Sequence, residues 1–380
     1  MNKMKIGKVK GIEIDLHLST LAIVGLVGFY AAQYYFSATG ILNWASLIIV
    51  GLINGLIILG SIIAHELMHS IISLRHGLKV SKIELYMFGG VSNIEEEPRT
   101  PRSETIISAA GPAASLLIGG IFLALYFIPT LVFGLTLPAI LSVTFLYSGI
   151  SNTGLGVFNL VPAFPMDGGR VLRAYLWKKR DDLLSATETA SKVGYYFGWV
   201  MVGYGFFQII FLPGIIGGFW FIILGFFLSS SSRNAYQQTV YEYKLSKISA
   251  KEILNKPDQI IPFDMKIKDA IQQYFMNFRK SYFPVGKDDE IVGIVTIESI
   301  QKIPPNQRSE LIIGKAMKDI SEFPIISEDE TAKAAFSKIR VEEEPKIIIV
   351  KDNGSVAGFI TENEIQSAIR LSDLLFGEKI

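Results

Sequence analysis

The 380-residue chain contains no cysteine. Disulfides, thiolate metal ligands and cysteine nucleophiles are thereby excluded, and a transition-metal site must be built from His, Asp and Glu. Histidine is scarce too, with only His17, His65, His69 and His76. Net charge is +1, so no bulk attraction to nucleic acid is implied and none is expected as a partner. The most telling absence is local. Residues 16–65, 105–166 and 193–232 hold no Asp, Glu, Lys or Arg. About 20 apolar residues span a bilayer as a helix, so each run has room for two. The composition, 50% hydrophobic and 19% charged, fits a membrane protein with a soluble part attached.

Turn residues divide the three runs: Ser37 to Gly40, Pro129 with Gly134, and Pro213-Gly214. The expectation is six transmembrane helices, near 18–37, 43–75, 106–128, 137–160, 193–211 and 215–230. The basic residues fall at Lys3 to Lys10, Lys79 to Arg102, Arg170 to Arg180, and Arg233 with Lys244. All four groups lie on one side of that topology, which the positive-inside rule makes cytoplasmic, along with both termini. Met1 to Lys10 reads as a cytoplasmic start before a retained helix. No small-residue cleavage site follows the first apolar run.

Residues 5–14 read as short strands, and 79–94 as strand, Gly-Gly turn, strand. The pattern leaves two roles open: a small cytoplasmic sheet with no catalytic part, or an edge strand that pairs with an extended peptide. Glu95-Glu96-Glu97-Pro98 reads as a solvated loop. His17 reads as interfacial, and His76 as a residue at a helix C-terminus.

His65-Glu66-Leu67-Met68-His69 lies in the cytoplasmic half of the second expected span. Histidines at i and i+4 share a helical face and can bind one Zn2+, with the intervening Glu66 as general base. Ionisable groups at membrane depth are functional candidates by default. A catalytic zinc needs three protein ligands. Asp167 is the first charge after the 105–166 run, and it follows a segment broken by Pro162 and Pro165. Gly168-Gly169 would allow a sharp turn there. By itself Asp167 reads sooner as the N-cap of a helix over Arg170–Lys179 than as a ligand. Beside the His-Glu-x-x-His, the metal is favoured.

After Arg233 the composition turns polar. Residues 291–301 match 356–366, each a β-run closing with Gly and Thr before a helix. Each copy is preceded by an amphipathic helix, Lys268–Phe278 or Thr331–Ile339. Two copies of this size form a pseudo-symmetric α/β pair, because each is too small to bury a good core alone.

His-Glu-x-x-His in a membrane helix, followed by Asn159-Leu-Val-Pro-Ala-Phe-Pro-Met-Asp167-Gly-Gly, resembles the site-2 protease family of intramembrane metalloproteases. Ala109-Ala110-Gly111-Pro112 resembles it too, although Ser115 stands where that family often has Asn. The resemblance covers residues 1–232. It implies one zinc per chain on His65, His69 and Asp167, with Glu66 as base and Asn159 touching the substrate backbone or oxyanion. The repeat resembles a pair of CBS domains, as some prokaryotic members carry. Such pairs often bind adenine nucleotides; Thr296, Thr361 and Glu364 are the candidate contacts, with Ser299 a departure in the first copy.

The expected architecture is therefore an α-helical polytopic membrane domain (1–232), a helical linker (233–245), and a cytoplasmic α/β CBS pair (246–303 and 311–372). The expected function is zinc-dependent cleavage within or near a substrate's transmembrane helix, in the cell membrane of a prokaryote. The CBS pair would be a regulatory module and an optional dimer contact. The alternative is a CBS-gated transporter or channel with a His/Glu/Asp ion site.

Overall fold

The computed structural model describes residues 3–86, 89–94, 98–212, 215–288, 290–341, 346–352 and 354–376. The expected turn at Pro213-Gly214 and the acidic run Glu95-Glu96-Glu97 lie outside them. The chain divides into two compact units, Met1–Gln237 and Gln238–Ile380.

In the first unit the uncharged runs are helical, and polar residues set their ends. Helix α1 (Thr20–Thr39) stops at Gly40, whose φ of 68° is the left-handed cap that glycine adopts freely. Helix α2 (Trp44–Arg75) starts at Asn43, whose side chain accepts from the Ala45 N–H. Helix α3 (Pro101–Phe127) starts ahead of the expected residue 106. Thr100 and Ser103 cap it reciprocally and Pro101 fills the first position. Helix α4 spans Ala139–Asn159 and the short α5 spans Asp167–Arg180. Helix α6 (Leu183–Phe211) begins at Leu183, well before the expected 193, because Asp182 caps Leu184 and Ser185. Helix α7 (Ile215–Leu245) runs on through the expected linker. Among the described residues, five helices are long and apolar enough to cross a membrane: Thr20–Thr39, Trp44–Arg75, Pro101–Val132, Ala139–Asn159 and Leu183–Phe211. Their outward side chains, such as Leu56, Leu117 and Val200, are exposed and apolar, as a lipid-facing surface requires.

Four strands form one sheet in the order β1 (Lys3–Val9), β2 (Ile12–His17), β3 (Val80–Tyr86), β4 (Gly89–Ile94). Alternation puts Ile12, Ile14, Leu16, Ile83 and Leu85 on one face, packed against Leu59, Ile62, Ile63 and Leu67 of α2. The sheet thus braces the helix that carries both histidines of the motif. The expected Gly-Gly turn is corrected here. Gly89 and Gly90 pair with Tyr86 and Leu85 inside the ladder. Only residues 87 and 88, outside the described set, join the two strands.

The second unit shows the repeat as two strand–helix halves. The first half has α8 (Ala250–Ile253), β5 (Ile261–Pro262), and α9 (Ile267–Ala270) leading through one π turn into α10 (Met276–Phe278). It continues with β6 (Tyr282–Lys287), β7 (Glu290–Thr296), α11 (Ile297–Gln301) and β8 (Lys318–Asp319). The second half has β9 (Ile325–Ser327), α12 (Ala332–Val341), β10 (Ile347–Asp352), β11 (Ser355–Thr361) and α13 (Glu362–Phe376). The sheets run β5-β6-β7-β8 and β11-β10-β9. Ile294 and Phe323 pack with Ile347, Ile349 and Phe359, so each half completes its core against the other.

Candidate metal centre

Helix α2 presents His65 and His69 on one face, a turn apart and both buried. Helix α4 ends at Asn159, and the loop with Pro162 and Pro165 returns the chain to the start of α5. Asp167 is the first residue of α5, with Met166 at the N-cap and no side-chain cap made. The alternative role as N-cap of the following helix is therefore not realised; the carboxylate turns to the histidines instead.

Gly168 and Gly169 are helical rather than a turn. Their use is close approach. A Cβ at either position would run into backbone of the preceding loop, at Leu160 or at Ala163 and Phe164. The loop is also held from α6 and α7. Ser232 Oγ donates to the Phe164 carbonyl, and Gly194 lies against the same oxygen. Ala163 and Met166 pack on Met201 and Leu228. Helices α6 and α7 themselves meet closely, since a Cβ on Gly198 would stand 2.5 Å from the Gly225 carbonyl.

Three atoms converge. Asp167 Oδ2 lies 3.1 Å from His65 Nε2 and 3.2 Å from His69 Nε2, and the two Nε2 atoms are 3.2 Å apart. His69 Nδ1 is 2.7 Å from the Ile107 carbonyl. A carbonyl only accepts, so Nδ1 carries the hydrogen and Nε2 of the neutral ring presents a lone pair. His65 Nδ1 is similarly held by Ser115 Oγ at 2.9 Å. The lone pair of His69 Nε2 and the Asp167 carboxylate thus face one another with His65 Nε2 beside both, an arrangement that suits a shared cation. A zinc with bonds of 2.0–2.1 Å sets its tetrahedral ligands about 3.3 Å apart. The three residues fit that metal, and among the described residues theirs is the cluster able to hold one.

Gly111 of α3 faces the same point. A Cβ there would stand 2.6 Å from His65 Nε2 and closer still to His69 Nε2. Glu66 is half-buried and within electrostatic reach of His69. Asn159 donates its side-chain N–H to the Leu155 carbonyl of its own helix at 3.0 Å. His76 caps α2, with Nδ1 2.9 Å from the Ile72 carbonyl, and His17 bonds Ser19 at 2.8 Å. Neither joins the centre. In the second unit Thr296 caps α11 by accepting from the Ser299 N–H. The Thr361 N–H donates to the Glu364 carboxylate at 2.9 Å, and its hydroxyl does the same. The contacts that sequence patterns did not assign are the Ile107 carbonyl and the roles of Gly111 and Ser115. Neither a backbone carbonyl nor a glycine carries a chemical signature.

Residues 54–145 and 134–202 match the model of peptidase family M50, and residues 250–305 match that of the CBS domain. A zinc metalloprotease of Methanocaldococcus jannaschii is 28% identical over 374 residues, covering 98% of this chain and 97% of that one. A Mycobacterium tuberculosis protein bearing the name zinc metalloprotease Rip3 is 27% identical over 369 residues, 96% of this chain and 92% of its own. The solved site-2 protease from Methanocaldococcus jannaschii aligns at a TM-score of 0.41 and 28% identity, over 61% of this chain and 94% of that one. Through residues 54–202 the chain is thus similar to peptidase family M50, over nearly its whole length it is similar to zinc metalloproteases, and residues 250–305 behind that part match the CBS domain.

Proposed function

We propose that the protein is a zinc-dependent endopeptidase that cuts a peptide bond within or near a transmembrane helix of a membrane-protein substrate. The observation that carries this reading is the convergence of His65 Nε2, His69 Nε2 and Asp167 Oδ2 at 3.1–3.2 Å, among helices long and apolar enough to cross a membrane. These three residues would hold the zinc. When bound, zinc would supply Lewis-acid polarisation of the scissile carbonyl and a water acidic enough to lose a proton near neutral pH. Glu66 would be the base that takes a proton from water and passes it to the leaving amine. The Ile107 carbonyl fixes the His69 tautomer, so that its Nε2 is free to bind, and the Ser115 hydroxyl, which can donate or accept, holds the His65 ring in place. Asn159 contacts the substrate backbone once its bond to Leu155 is exchanged. A helical substrate hides its carbonyls in i to i−4 bonds, so it unwinds locally before cleavage.

The uncharged first half of α7 serves as a sixth span, which leaves both termini in the cytoplasm of a prokaryotic cell membrane. Residues 246–303 and 311–372 form the two CBS halves and regulate the membrane domain, with a homodimer through the pair as a further consequence. The adenine nucleotide is proposed from the CBS pattern, and a shallow depression lined by Asn255, Lys256, Asp258, Lys280, Tyr282 and Phe359 lies in the same unit. Burial, with Glu364 and Asp258 nearby, pushes the Tyr282 phenol above its usual range, so it stays a neutral donor. Glu364 already accepts from Thr361. A carboxylate has about four acceptor sites, which leaves room for a ribose hydroxyl.

The test is metal analysis of the detergent-purified protein with cleavage of a panel of single-span proteins. One zinc per chain and a cut within or near the span are expected. Full zinc content after His65→Ala with His69→Ala, or zinc without any proteolysis across the panel, would refute the reading.

A further inference from the structure

One face of α3 carries supports for all three candidate ligands. Its buried residues Glu104, Ile107, Gly111 and Ser115 recur at the three- and four-residue spacing of a single helical stripe. Ser115 holds His65, the Ile107 carbonyl holds His69, and Gly111 leaves space beside both Nε2 atoms. The remaining member, Glu104, reaches the helix of the third ligand. Arg173 of α5 donates to Glu104 Oε1 from Nε at 2.6 Å and lies 2.5 Å from it through Nη2. The side chains are only 6% and 2% exposed. The Arg173 guanidinium also lies over the Phe164 ring, 5.0 Å from its centroid, in the loop that delivers Asp167.

A buried ion pair is a weak device for stability alone. Desolvation of both charges offsets most of their attraction, and an apolar pair of similar volume is often as stable or more so. What such a pair fixes is geometry. The planar guanidinium, held by Glu104 on one side and stacked on Phe164 on the other, sets α5 in height and rotation against α3. Asp167 opens the same 14-residue helix. A metal ligand must be placed to within about 0.2 Å. We propose that Glu104 and Arg173 are positioning residues that set Asp167 against His65 and His69, which makes one face of α3 the common frame of the centre. The inference rests on the zinc reading given above.

The test uses the full-length protein in detergent and the variant E104M/R173M, in which both charges are replaced together. Zinc affinity is measured by competition with a chelator, beside thermal unfolding of the zinc-free protein and the separate kcat and KM. A purely structural pair predicts a change in zinc-free unfolding and none in zinc affinity. Positioning predicts unchanged zinc-free unfolding, zinc bound about 10–100-fold more weakly, and a lower kcat at unchanged KM. Wild-type zinc affinity and kcat in the folded double variant would overturn the proposal. Should that variant fail to fold, R173K keeps the charge without the fork. The same loosening is expected there, and wild-type affinity in it overturns the proposal equally. A wild-type protein that binds no zinc would instead bring down the zinc reading, and this inference with it.

Discussion

Gly111→Ala is the sharpest probe of the centre, because it adds one methyl group and removes no chemical function. The new Cβ would stand 2.6 Å from His65 Nε2, whereas ordinary contact begins near 3.4 Å. Something must therefore move by about 0.8 Å, and by more at His69. That is about four times the 0.2 Å tolerance of a zinc ligand. Neither side can yield harmlessly. If α3 retreats, the Ile107 carbonyl leaves His69 Nδ1, a 2.7 Å bond, and Ser115 leaves His65. If the imidazoles rotate, their Nε2 atoms no longer meet Asp167. Zinc affinity should fall at least about 100-fold, or about 2.8 kcal/mol. Metal content after purification against a chelator reads this directly. Gly120→Ala, on the same helix with nothing within 4 Å of the added Cβ, is the control and should keep its zinc. Full zinc at wild-type affinity in a folded Gly111→Ala protein would show that the metal does not lie between these rings.

Glu66→Gln should retain zinc and lose about 10²–10⁴-fold in cleavage rate; comparable activity would remove Glu66 from the chemistry. Ser115→Ala removes the partner of His65 Nδ1 and should weaken zinc binding about 10–100-fold, with Ser115→Asn recovering part of it; unchanged binding in both would make Ser115 a packing residue. Cysteines introduced at Ala38 and Phe133 should react with an impermeant thiol reagent in intact cells while one at Lys179 does not; the opposite pattern would invert the topology. AMP or ATP binding, followed by calorimetry on the full chain, should weaken at least about tenfold in Thr361→Val; equal affinity would take Thr361 out of the ligand set.

Helix ends show how far local sequence reaches. The uncharged runs mark where lipid can be crossed, and Ser37 to Gly40 correctly ends α1. Helices α3 and α6 start ahead of the uncharged runs they contain, because charge marks the edge of the lipid and not the end of a helix. Arg102, Glu104, Glu188 and Lys192 all lie inside helices whose caps, Thr100 and Asp182, sit further out. A bilayer limits the apolar run, while hydrogen-bonding partners limit the helix, and the two need not coincide. Gly89-Gly90 misled for a related reason. Glycine is the commonest signal for a turn, yet nothing local separates a glycine at a turn from one that enters the adjoining strand.

The candidate metal centre divides the same way. His65, Glu66 and His69 are legible because their chemistry and spacing are both local. Asp167 became legible through its contrast with the uncharged run before it. Much of what orients these groups comes from α3, where the sequence shows Gly111 and Ser115 only through a family resemblance and gives them no role. Ile107 acts through its carbonyl, which every residue has. Gly111 acts through the side chain it lacks. Ser115 is one of many serines, and Glu104 with Arg173 looks like a pair of surface charges until the fold buries them. Ligand residues are selected for what they can bond, and their supports for where they stand. The first property is written in a single residue type, while the second exists only once α2, α3 and α5 have packed.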